Sequence, residues 1–266
     1  APRRAAAVSG VSFLKPTYGT VSRYGVIACA CSGEQIGVTA ANAEDAKEIL
    51  SVIAGHDSKD GTSLPAEKYE YSTSEDVSAM KICIVKELYD AADADVKANI
   101  DAYAESLKKI GATVETISLD IVSQAQTAWQ ILMAAETTNN LSRFDGVKYG
   151  YRTKNYTNID ELYTNSRTEA FGTVLKSAIL LGSSVLSTNN YDKMYDKSMR
   201  IRRLLVEAMN GLFAEYDAVL IPACGKTAYT LAEVEANPYL AFEESLFTAP
   251  ASITGMPAVV VGGVQL

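Results

Sequence analysis

Two β-branched segments on either side of a helical segment are the feature that most constrains how this chain can fold. Residues 81–87 (KICIVKE) and 111–119 (GATVETISL) alternate in the way that is typical of strands. The segment from about Asp93 to Ile110 between them has a helical pattern. A strand, a helix and a second strand in this order form a βαβ unit with parallel strands and a right-handed crossover. The sequence therefore predicts a sheet that is at least partly parallel.

Further helices are predicted where apolar residues recur every three to four positions. These segments are residues 42–54, 121–142, 167–187 and 189–214. Asn42 is a good N-cap for the first of them, and Gly55 follows its end.

Strands and loops are predicted for several of the other segments. Short apolar runs bounded by Gly, Pro or Asp predict strands at residues 217–223 and 258–262. The polar stretch at 56–78 is predicted to be a loop, and so is the tyrosine-rich stretch at 149–167, with a short helical turn. No repeat, low-complexity tract or linker divides the chain, so we predict a single domain over residues 1–266.

The composition argues against several classes of protein. With 266 residues, of which 48% are hydrophobic, the chain can bury a sizeable core. Its longest apolar runs are too short to cross a bilayer, so we expect no membrane contact. The formal net charge of −8 argues against binding of a nucleic-acid backbone by the bulk surface. If tRNA is a partner, we expect another subunit to hold it.

The four cysteines are scattered and indicate reduced thiols in the cytoplasm rather than a disulfide framework. Cys29 and Cys31 flank a single residue, which is a spacing that metal ligands can have. However, His56 is the only histidine and there is no second cysteine pair. We therefore predict no metal site.

Four glycine-containing motifs follow one another along the chain. They are KPTYGTVSRYG (15–25), SGEQIG (32–37), IAGHDSKDGTS (53–63) and RFDGVKYGYR (143–152). Together they resemble the amidase signature family, and within it most closely the A-subunit group of glutamyl-tRNA(Gln) amidotransferases. The resemblance implies an α/β fold in which helices flank both faces of a mixed, partly parallel sheet. It also implies that both ends of this chain lie inside that fold, as in an amidase domain truncated at both ends.

The catalytic serine of the family belongs to a Gly-Gly-Ser-hydrophobic-Arg-x-Pro-Ala run that leads directly into Lys15. This register places Ala1 at the nucleophile position, Arg3 on the family arginine and Gly10 on the family glycine, while Ala5 replaces the proline. The lysine and the bridging serine of the family proton relay lie further upstream, and we interpret Lys15 as structural. The resemblance therefore implies that this chain has no catalytic residue and is inactive alone.

Three positions that bind substrate in the family have changed in this chain. Ala178 occupies the position of an arginine for the α-carboxylate, Ser245 that of an aspartate for the α-ammonium, and Trp129 that of a tyrosine. Loss of both charges would remove most recognition of free glutamine and leave a larger, more apolar pocket for the amide. The alternative is an alignment shifted by one or two positions, in which Lys176 or Glu244 supplies the charge.

Three functional hypotheses remain open. In the first, the chain is part of an A-type amidotransferase component that hydrolyses glutamine to supply ammonia for Gln-tRNA(Gln) formation, together with B and C subunits. ATP and Mg²⁺ would then be used by the partner subunit and no cofactor by this chain, and tRNA would be contacted only through a partner. The second hypothesis is a stand-alone amidase for an uncharged amide. The third is a non-catalytic binding protein derived from an amidase.

Overall fold

The computed structural model describes residues 2–66, 69 and 76–261 of the chain. These residues group into two compact units. Unit 1 consists of described residues within 1–26, 35–126 and 201–266, and unit 2 of residues 27–34 and 127–200. The single incomplete domain over residues 1–266 stays a prediction.

The described residues form both strands and helices. The strands are β1 (Ser12–Lys15), β2 (Val38–Ala40), β3 (Lys81–Val85), β4 (Thr113–Ile117), β5 (Ala218–Leu220) and β6 (Ala258–Val260). The α-helices are α1 (Pro2–Ser9), α2 (Ala43–Ile53), α3 (Lys86–Asp90), α4 (Ala94–Lys109), α5 (Ala125–Leu141), α6 (Ile159–Ala170), α7 (Thr173–Val185), α8 (Lys197–Phe213), α9 (Leu231–Ala236), α10 (Leu240–Glu243) and α11 (Ser245–Ile253). A 3₁₀ turn at Asp120–Gln124 precedes α5, and a π turn at Asp192–Asp196 precedes α8.

One sheet of unit 1 is parallel and has the strand order β4-β3-β5. Every residue of β3 after Lys81 is buried, as expected for the central strand of a parallel sheet. Ile82 pairs with Val114 of β4 on one side and with Ala218 of β5 on the other. Helix α4 lies between β3 and β4 in the chain. The predicted βαβ unit and the predicted strand after residue 217 are therefore confirmed.

A second sheet of unit 1 is antiparallel and has the order β2-β1-β6. Phe13 of β1 pairs with Thr39 of β2 and with Val260 of β6. Phe13 and Val260 pack with Ala6 of α1 in a buried cluster. The sequence patterns predict β6 but neither α1, β1 nor β2, because elements of three to eight residues carry little periodicity.

Helix α2 is predicted correctly at both ends. The side chain of its N-cap residue, Asn42, accepts a hydrogen bond from the backbone N of Asp45 at 2.8 Å. On its inner face, Ala46 and Leu50 are buried in a cluster with Val38 of β2. The cap and the apolar face are both local signals, which is why the sequence alone locates this helix.

Helices α5 and α7 pack closely in unit 2. A Cβ atom at Gly182 of α7 would lie 2.1 Å from the backbone O of Ala134 and from Oγ1 of Thr138, both in α5. Oγ1 of Thr138 also donates a hydrogen bond to the backbone O of Ile179 at 3.0 Å. Glycine at position 182 is therefore required for this helix contact.

Two predictions for unit 2 are wrong in part. The loop predicted over 149–167 ends early, because α6 begins at Ile159 with Asn158 as its N-cap, which accepts from the backbone N of Glu161 at 2.9 Å. The single helix predicted over 167–187 is two helices. Its break lies at Phe171 and Gly172, where the backbone is extended.

Several predicted segments include residues outside the described ranges. In the loop predicted over 56–78, residues 56–65 form only turns, bends and irregular backbone, and residues 67, 68 and 70–75 are not described. Residue 262 of the last predicted strand is not described either. Ala1, at the nucleophile position, also lies outside the described residues.

The predicted α/β class with a partly parallel sheet is confirmed. In the part of the chain that the structure describes, the parallel and antiparallel strands form two separate three-stranded sheets. No helix within these ranges combines the length and apolar character needed to cross a membrane.

Candidate active site

The nucleophile position immediately precedes α1 in the sequence, and the first turn of α1 is fixed by Arg3. Arg3 is only 6% exposed. Its Nη2 donates hydrogen bonds to the backbone O of Thr248 at 2.7 Å and to Oγ of Ser252. Because Thr248 and Ser252 belong to α11, these bonds hold the start of α1 against that helix.

Lys15, at the end of β1, is a buried amine without an acidic partner among the described residues. Its Nζ donates to the backbone O of Pro16 at 2.9 Å and to Oε1 of Gln35. Burial, followed by the positive charge of Arg3, lowers the pKa of Lys15 to about 7. A substantial fraction of Lys15 is therefore neutral at neutral pH, and its structural role stays a prediction.

Ser245, at the predicted position for the substrate ammonium, is the first residue of α11. Its hydroxyl donates to the backbone O of Phe242 at 2.6 Å. The preceding residue, Glu244, is buried, and its two oxygens accept from the backbone N of Gly225 at 2.9 Å and from the Tyr229 hydroxyl at 2.6 Å. These two bonds fix the Glu244 carboxylate next to the start of α11.

Tyr229 lies between Glu244 and Arg4 of α1. The guanidinium carbon of Arg4 is 5.6 Å from the centre of the Tyr229 ring, and Nη1 of Arg4 is buried without a hydrogen-bond partner among the described residues. Nζ of Lys226 is 4.4 Å from the same ring and 2.7 Å from Oε1 of Glu233. Burial and the bond to Glu244 raise the pKa of Tyr229, so its hydroxyl remains a donor at neutral pH.

Trp129 of α5 packs on the 27–34 loop of unit 2. A Cβ atom at Gly33 would lie 2.5 Å from Cη2 of the indole and 2.3 Å from Sδ of Met133, so a larger residue there would displace one of these two side chains. The loop is also tied to α5 by the backbone N of Ser32, which donates to Oε2 of Glu136 at 2.8 Å. The contacts of Trp129 are thus structural, and its role in substrate binding stays a prediction.

Ala178 lies on the side of α7 that faces α5, because it is one helical turn before Gly182. Its side chain is half-buried. Lys176, which a shifted alignment would place in the binding role, donates from Nζ to the backbone O of Thr168 at 2.8 Å. Ala178 and Trp129 therefore belong to neighbouring helices of unit 2, whereas Ser245 belongs to unit 1.

A cavity of about 740 Å³ opens beside α1 in unit 1. Its walls are mainly apolar and include Ala7, Val8 and Phe247, with Arg3 as a charged lining residue. Arg4, Glu244 and Ser245 are not among its lining residues. Lys226, which lies over the Tyr229 ring, also lines this cavity, so the cavity borders the charged cluster around Tyr229.

Comparison with known proteins decides the family. The model of a family described as Amidase matches residues 3–263. The chain belongs to the amidase family. This match and the relatives below confirm the resemblance carried by the four motifs.

Two curated relatives of this amidase chain are the A components of glutamyl-tRNA(Gln) amidotransferases. The protein from Agathobacter rectalis is 43% identical over 260 residues, which cover 97% of this chain and 52% of the relative. The protein from Halothermothrix orenii is 40% identical over 262 residues, with coverages of 97% and 55%. The chain thus spans about half the length of the curated relatives it matches.

Solved structures show the same fold. The A component of the glutamyl-tRNA(Gln) amidotransferase from Thermotoga maritima matches 96% of this amidase chain and 51% of its own, with a TM-score of 0.73 and 27% identity. The K. lactis urea amidolyase matches 96% of this chain and 14% of its own, with a TM-score of 0.75 and 21% identity, and shares the fold. Both confirm the predicted fold class.

The cysteines of this amidase chain are free thiols. Nδ2 of Asn140 donates to the backbone O of Cys29 at 3.0 Å and contacts Sγ of Cys31 at 3.6 Å. Within the described ranges, no group of three or more His, Cys, Asp or Glu could hold a metal ion.

The sequence analysis did not identify two residues of the charged cluster in this amidase chain, Arg4 and Tyr229. They meet only in the folded chain, since α1 and the segment after β5 are distant in sequence. No local pattern connects them. The one available signal is the second arginine after the nucleophile position, at the variable residue of the family run.

Proposed function

We propose that this chain is the central-to-C-terminal part of a protein of the amidotransferase A type, and that its fold supports hydrolysis of glutamine within an assembled complex when position 1 carries a serine. The observation that carries the proposal is the identity of 43% and 40% with two amidotransferase A components over 97% of the chain. The names of these relatives state amidation of glutamyl-tRNA(Gln). Ammonia released by such a form with a serine at position 1 would therefore serve the formation of Gln-tRNA(Gln).

Partner subunits supply the remaining functions in this proposal. The B subunit uses ATP and Mg²⁺ and holds the tRNA, and a small C subunit completes the complex. The net charge of −8 supports this division, because an acidic chain is a poor ligand for a phosphate backbone. The proposed location is the cytoplasm, where the four free cysteines stay reduced.

Hydrolysis of the amide requires a hydroxyl at position 1. An activated serine attacks the amide carbon, ammonia leaves with a proton, and water then cleaves the acyl-enzyme to release the acid. Backbone N–H groups stabilise the negative oxygen of each tetrahedral intermediate. The methyl group of Ala1 cannot begin this sequence, so the unaltered chain has no glutaminase activity in our proposal.

The test is a chimera that joins the first half of the A. rectalis relative, up to the nucleophile, to residues 1–266 of this chain. It is prepared with Ala1 and with Ala1→Ser, each together with the A. rectalis B and C subunits. We expect ammonia release from glutamine only after Ala1→Ser, by a factor of about 10³ or more, because loss of a serine nucleophile has effects of this size or larger. Equal release by the two forms would contradict the assignment of position 1.

A second pair of substitutions tests the predicted substrate positions. In the Ala1→Ser chimera, Ala178→Arg with Ser245→Asp restores both family charges. If positions 178 and 245 contact glutamine, kcat/KM for glutamine rises by about tenfold or more, since a charged hydrogen bond contributes about 1.5–3 kcal/mol. An unchanged kcat/KM would remove both residues from the site.

A stand-alone amidase for an uncharged amide is the second candidate. It is favoured by the apolar residues at two of the three family positions, the indole of Trp129 and the methyl group of Ala178. The same chimera distinguishes the candidates, through release of ammonia from butanamide. Hydrolysis of butanamide without hydrolysis of glutamine would replace the amidotransferase proposal by this one.

A further inference from the structure

The acidic excess of this chain lies in unit 1. Unit 2 has nine basic and eight acidic residues, which gives it a formal charge of +1. Because the whole chain carries −8, unit 1 carries −9. The charge argument against binding of a nucleic-acid backbone therefore applies to unit 1 and not to unit 2.

Within unit 2, the loop that precedes α6 has three basic residues and no acidic one. We call residues 146–158 (GVKYGYRTKNYTN) the tyrosine loop. Its basic residues Lys148, Arg152 and Lys154 are all exposed. None of the three forms a salt bridge with another described residue. The tyrosine loop is therefore a local concentration of positive charge on the surface.

The carboxylates that border the tyrosine loop are engaged by neutral donors instead. Oδ1 of Asp145 accepts from two backbone N–H groups of the loop, at 2.8 and 3.0 Å. Oε2 of Glu161 accepts from the backbone N and from Oγ1 of Thr157, both at 2.8 Å. Oε2 of Glu169 accepts from the hydroxyl of Tyr151 at 2.7 Å. The cations of the loop are thus left for an anionic partner.

Exposed tyrosine rings alternate with these cations along the loop. Tyr149 is 60% exposed and Tyr156 is 41% exposed. The guanidinium carbon of Arg152 is 5.4 Å from the centre of the Tyr156 ring, and its Nη2 donates to the hydroxyl of that ring at 2.9 Å. Proteins that bind single-stranded nucleic acid combine aromatic rings, on which bases stack, with cations that follow the phosphates. The tyrosine loop has both kinds of group.

The backbone of the tyrosine loop is fixed on α6. Thr153 is buried, and its backbone N donates to Oγ of Ser166 at 3.0 Å. Nδ2 of Asn165 donates to the backbone O of Asn155 at 2.6 Å. Gly146, with a φ of +79°, lies so close to α6 that a Cβ atom there would be 2.5 Å from Oγ of Ser166. Because the loop is already ordered, a ligand would not have to supply the free energy of ordering it.

We propose that the tyrosine loop binds an unpaired strand of RNA, with Tyr149 and Tyr156 stacking on bases and the three cations contacting phosphates. An acidic protein is the less favoured partner, because two of the three cations are lysines, which protein interfaces contain less often than other surfaces do. The choice of RNA rests on the proposed function, in which the assembled complex acts on a tRNA. This contact is additional to that of the B subunit, and it departs from the expectation that tRNA is held only through a partner.

The test is fluorescence anisotropy with the full chain and three labelled probes. They are an oligouridylate of about 12 nucleotides, which is within the range that one single-strand site covers, an RNA duplex of the same length and a poly-glutamate peptide of the same length. We expect the oligouridylate to bind at least about fivefold more tightly than either of the others. Its association constant should fall with about the second power of the salt concentration, as expected for three phosphate contacts on a single strand.

Two double variants separate stacking from charge. Tyr149→Ala with Tyr156→Ala should weaken oligouridylate binding by about tenfold or more and leave the salt dependence unchanged, whereas Phe at both positions should keep the affinity within about threefold. Lys148→Gln with Lys154→Gln should lower the exponent of the salt dependence by about 1.4.

Each double variant has a matched control. Lys193→Gln with Lys197→Gln removes the same charge from exposed positions elsewhere in unit 2, and it should leave the exponent unchanged. Tyr24→Ala removes an exposed tyrosine of unit 1 and should leave the affinity within about twofold.

The outcomes separate this inference from the proposed function. The inference is overturned if the oligouridylate does not bind, if the duplex or the peptide binds as tightly, or if the variants of the loop behave like their controls while thermal melts show that all are folded. Ammonia release by the Ala1→Ser chimera is a separate readout. Its failure with intact RNA binding would contradict the proposed reaction and leave the RNA contact standing.

Discussion

Arg23 and Arg4 are two arginines of unit 1 that lie over tyrosine rings in opposite electrostatic surroundings. Arg23 is 5.2 Å from the ring of Tyr18, its Nε is 3.7 Å from Oδ2 of Asp60, and its Nη2 donates to Oγ1 of Thr62 at 2.7 Å. Arg4 is at a similar distance from Tyr229, but the nearby carboxylate lies across the ring. Arg23 thus joins its own loop to the loop that contains Asp60 and Thr62, whereas Arg4 contacts its tyrosine ring without an ion pair among the described residues.

Asp60 and Lys15 of unit 1 differ in a similar way, because only Asp60 has a partner of opposite charge among the described residues. Asp60 accepts from the backbone N of Arg23 at 2.8 Å and from both donors of Thr62, and these bonds lower its pKa to about 2. Buried Lys15, near Arg3, has only neutral acceptors among the described residues. A charge with its partner should stabilise the fold, and a buried cation without one should cost stability.

The largest expected effect is that of Lys15→Met. Removal of a buried amine that lacks a carboxylate partner should raise the free energy of unfolding by about 1–4 kcal/mol at pH 7. Because the pKa of Lys15 in the folded chain is about 7, below its usual value, the unfolded chain binds more protons between pH 7 and 10. Stability of the unaltered chain should rise over this range, and that of Lys15→Met should not. Urea denaturation at several pH values measures both, and parallel curves would contradict the account.

Asp60→Asn should lower the free energy of unfolding by about 2 kcal/mol at pH 7, since it weakens charged hydrogen bonds to Arg23 and Thr62. The measurement is urea denaturation of both proteins in the same buffer. A loss below about 0.5 kcal/mol would contradict this prediction, because it would show that Asp60 contributes no more than an exposed surface ion pair.

The loss of folding stability at acidic pH should also depend on Asp60. The pKa of Asp60 is about 2 in the folded chain and higher in the unfolded chain, so its contribution is complete above the unfolded value and is lost as the pH falls towards 2. Thermal melts between pH 5 and 2 should show a steeper loss for the unaltered chain than for Asp60→Asn. Identical slopes would show that the bonds to Arg23 and Thr62 do not stabilise the charged form.

Arg4→Gln should have the smallest effect on folding. Nη1 of Arg4 has no hydrogen bond to lose within the described residues, and only the contact with the Tyr229 ring is given up. We expect the free energy of unfolding to change by no more than about 1 kcal/mol. A loss similar to that of Asp60→Asn would mean that Arg4 is structural in the way that Arg23 is.

Elements with strong local signals could be predicted from the sequence. The βαβ unit follows from alternation and helical spacing, and α2 follows from the Asn42 cap and its apolar face. Strands β1 and β2 could not be predicted, because they are short and β1 pairs with a strand at the other end of the chain. Helix α6 escapes prediction because its tyrosines, threonines and asparagines favour loops until the cap at Asn158 is recognised.

The site was predictable only where a family motif covers it. The register of Ala1, Arg3 and Lys15 follows from the KPTYG motif, and the substrate positions follow from alignment. The contact of Arg4 with Tyr229 depends on how α1 packs near α11. Such a long-range contact leaves no periodicity or spacing in the sequence.

The most direct test of the central claim is labelling of position 1 in the two chimeras. Each chimera is treated with a sulfonyl fluoride that reacts with activated serines. After proteolysis, the mass of the peptide that contains position 1 is measured by mass spectrometry. The account predicts a sulfonyl adduct on this peptide after Ala1→Ser and none in the Ala1 form. An adduct elsewhere in residues 2–266 of the Ala1 form, together with ammonia release from glutamine, would contradict it.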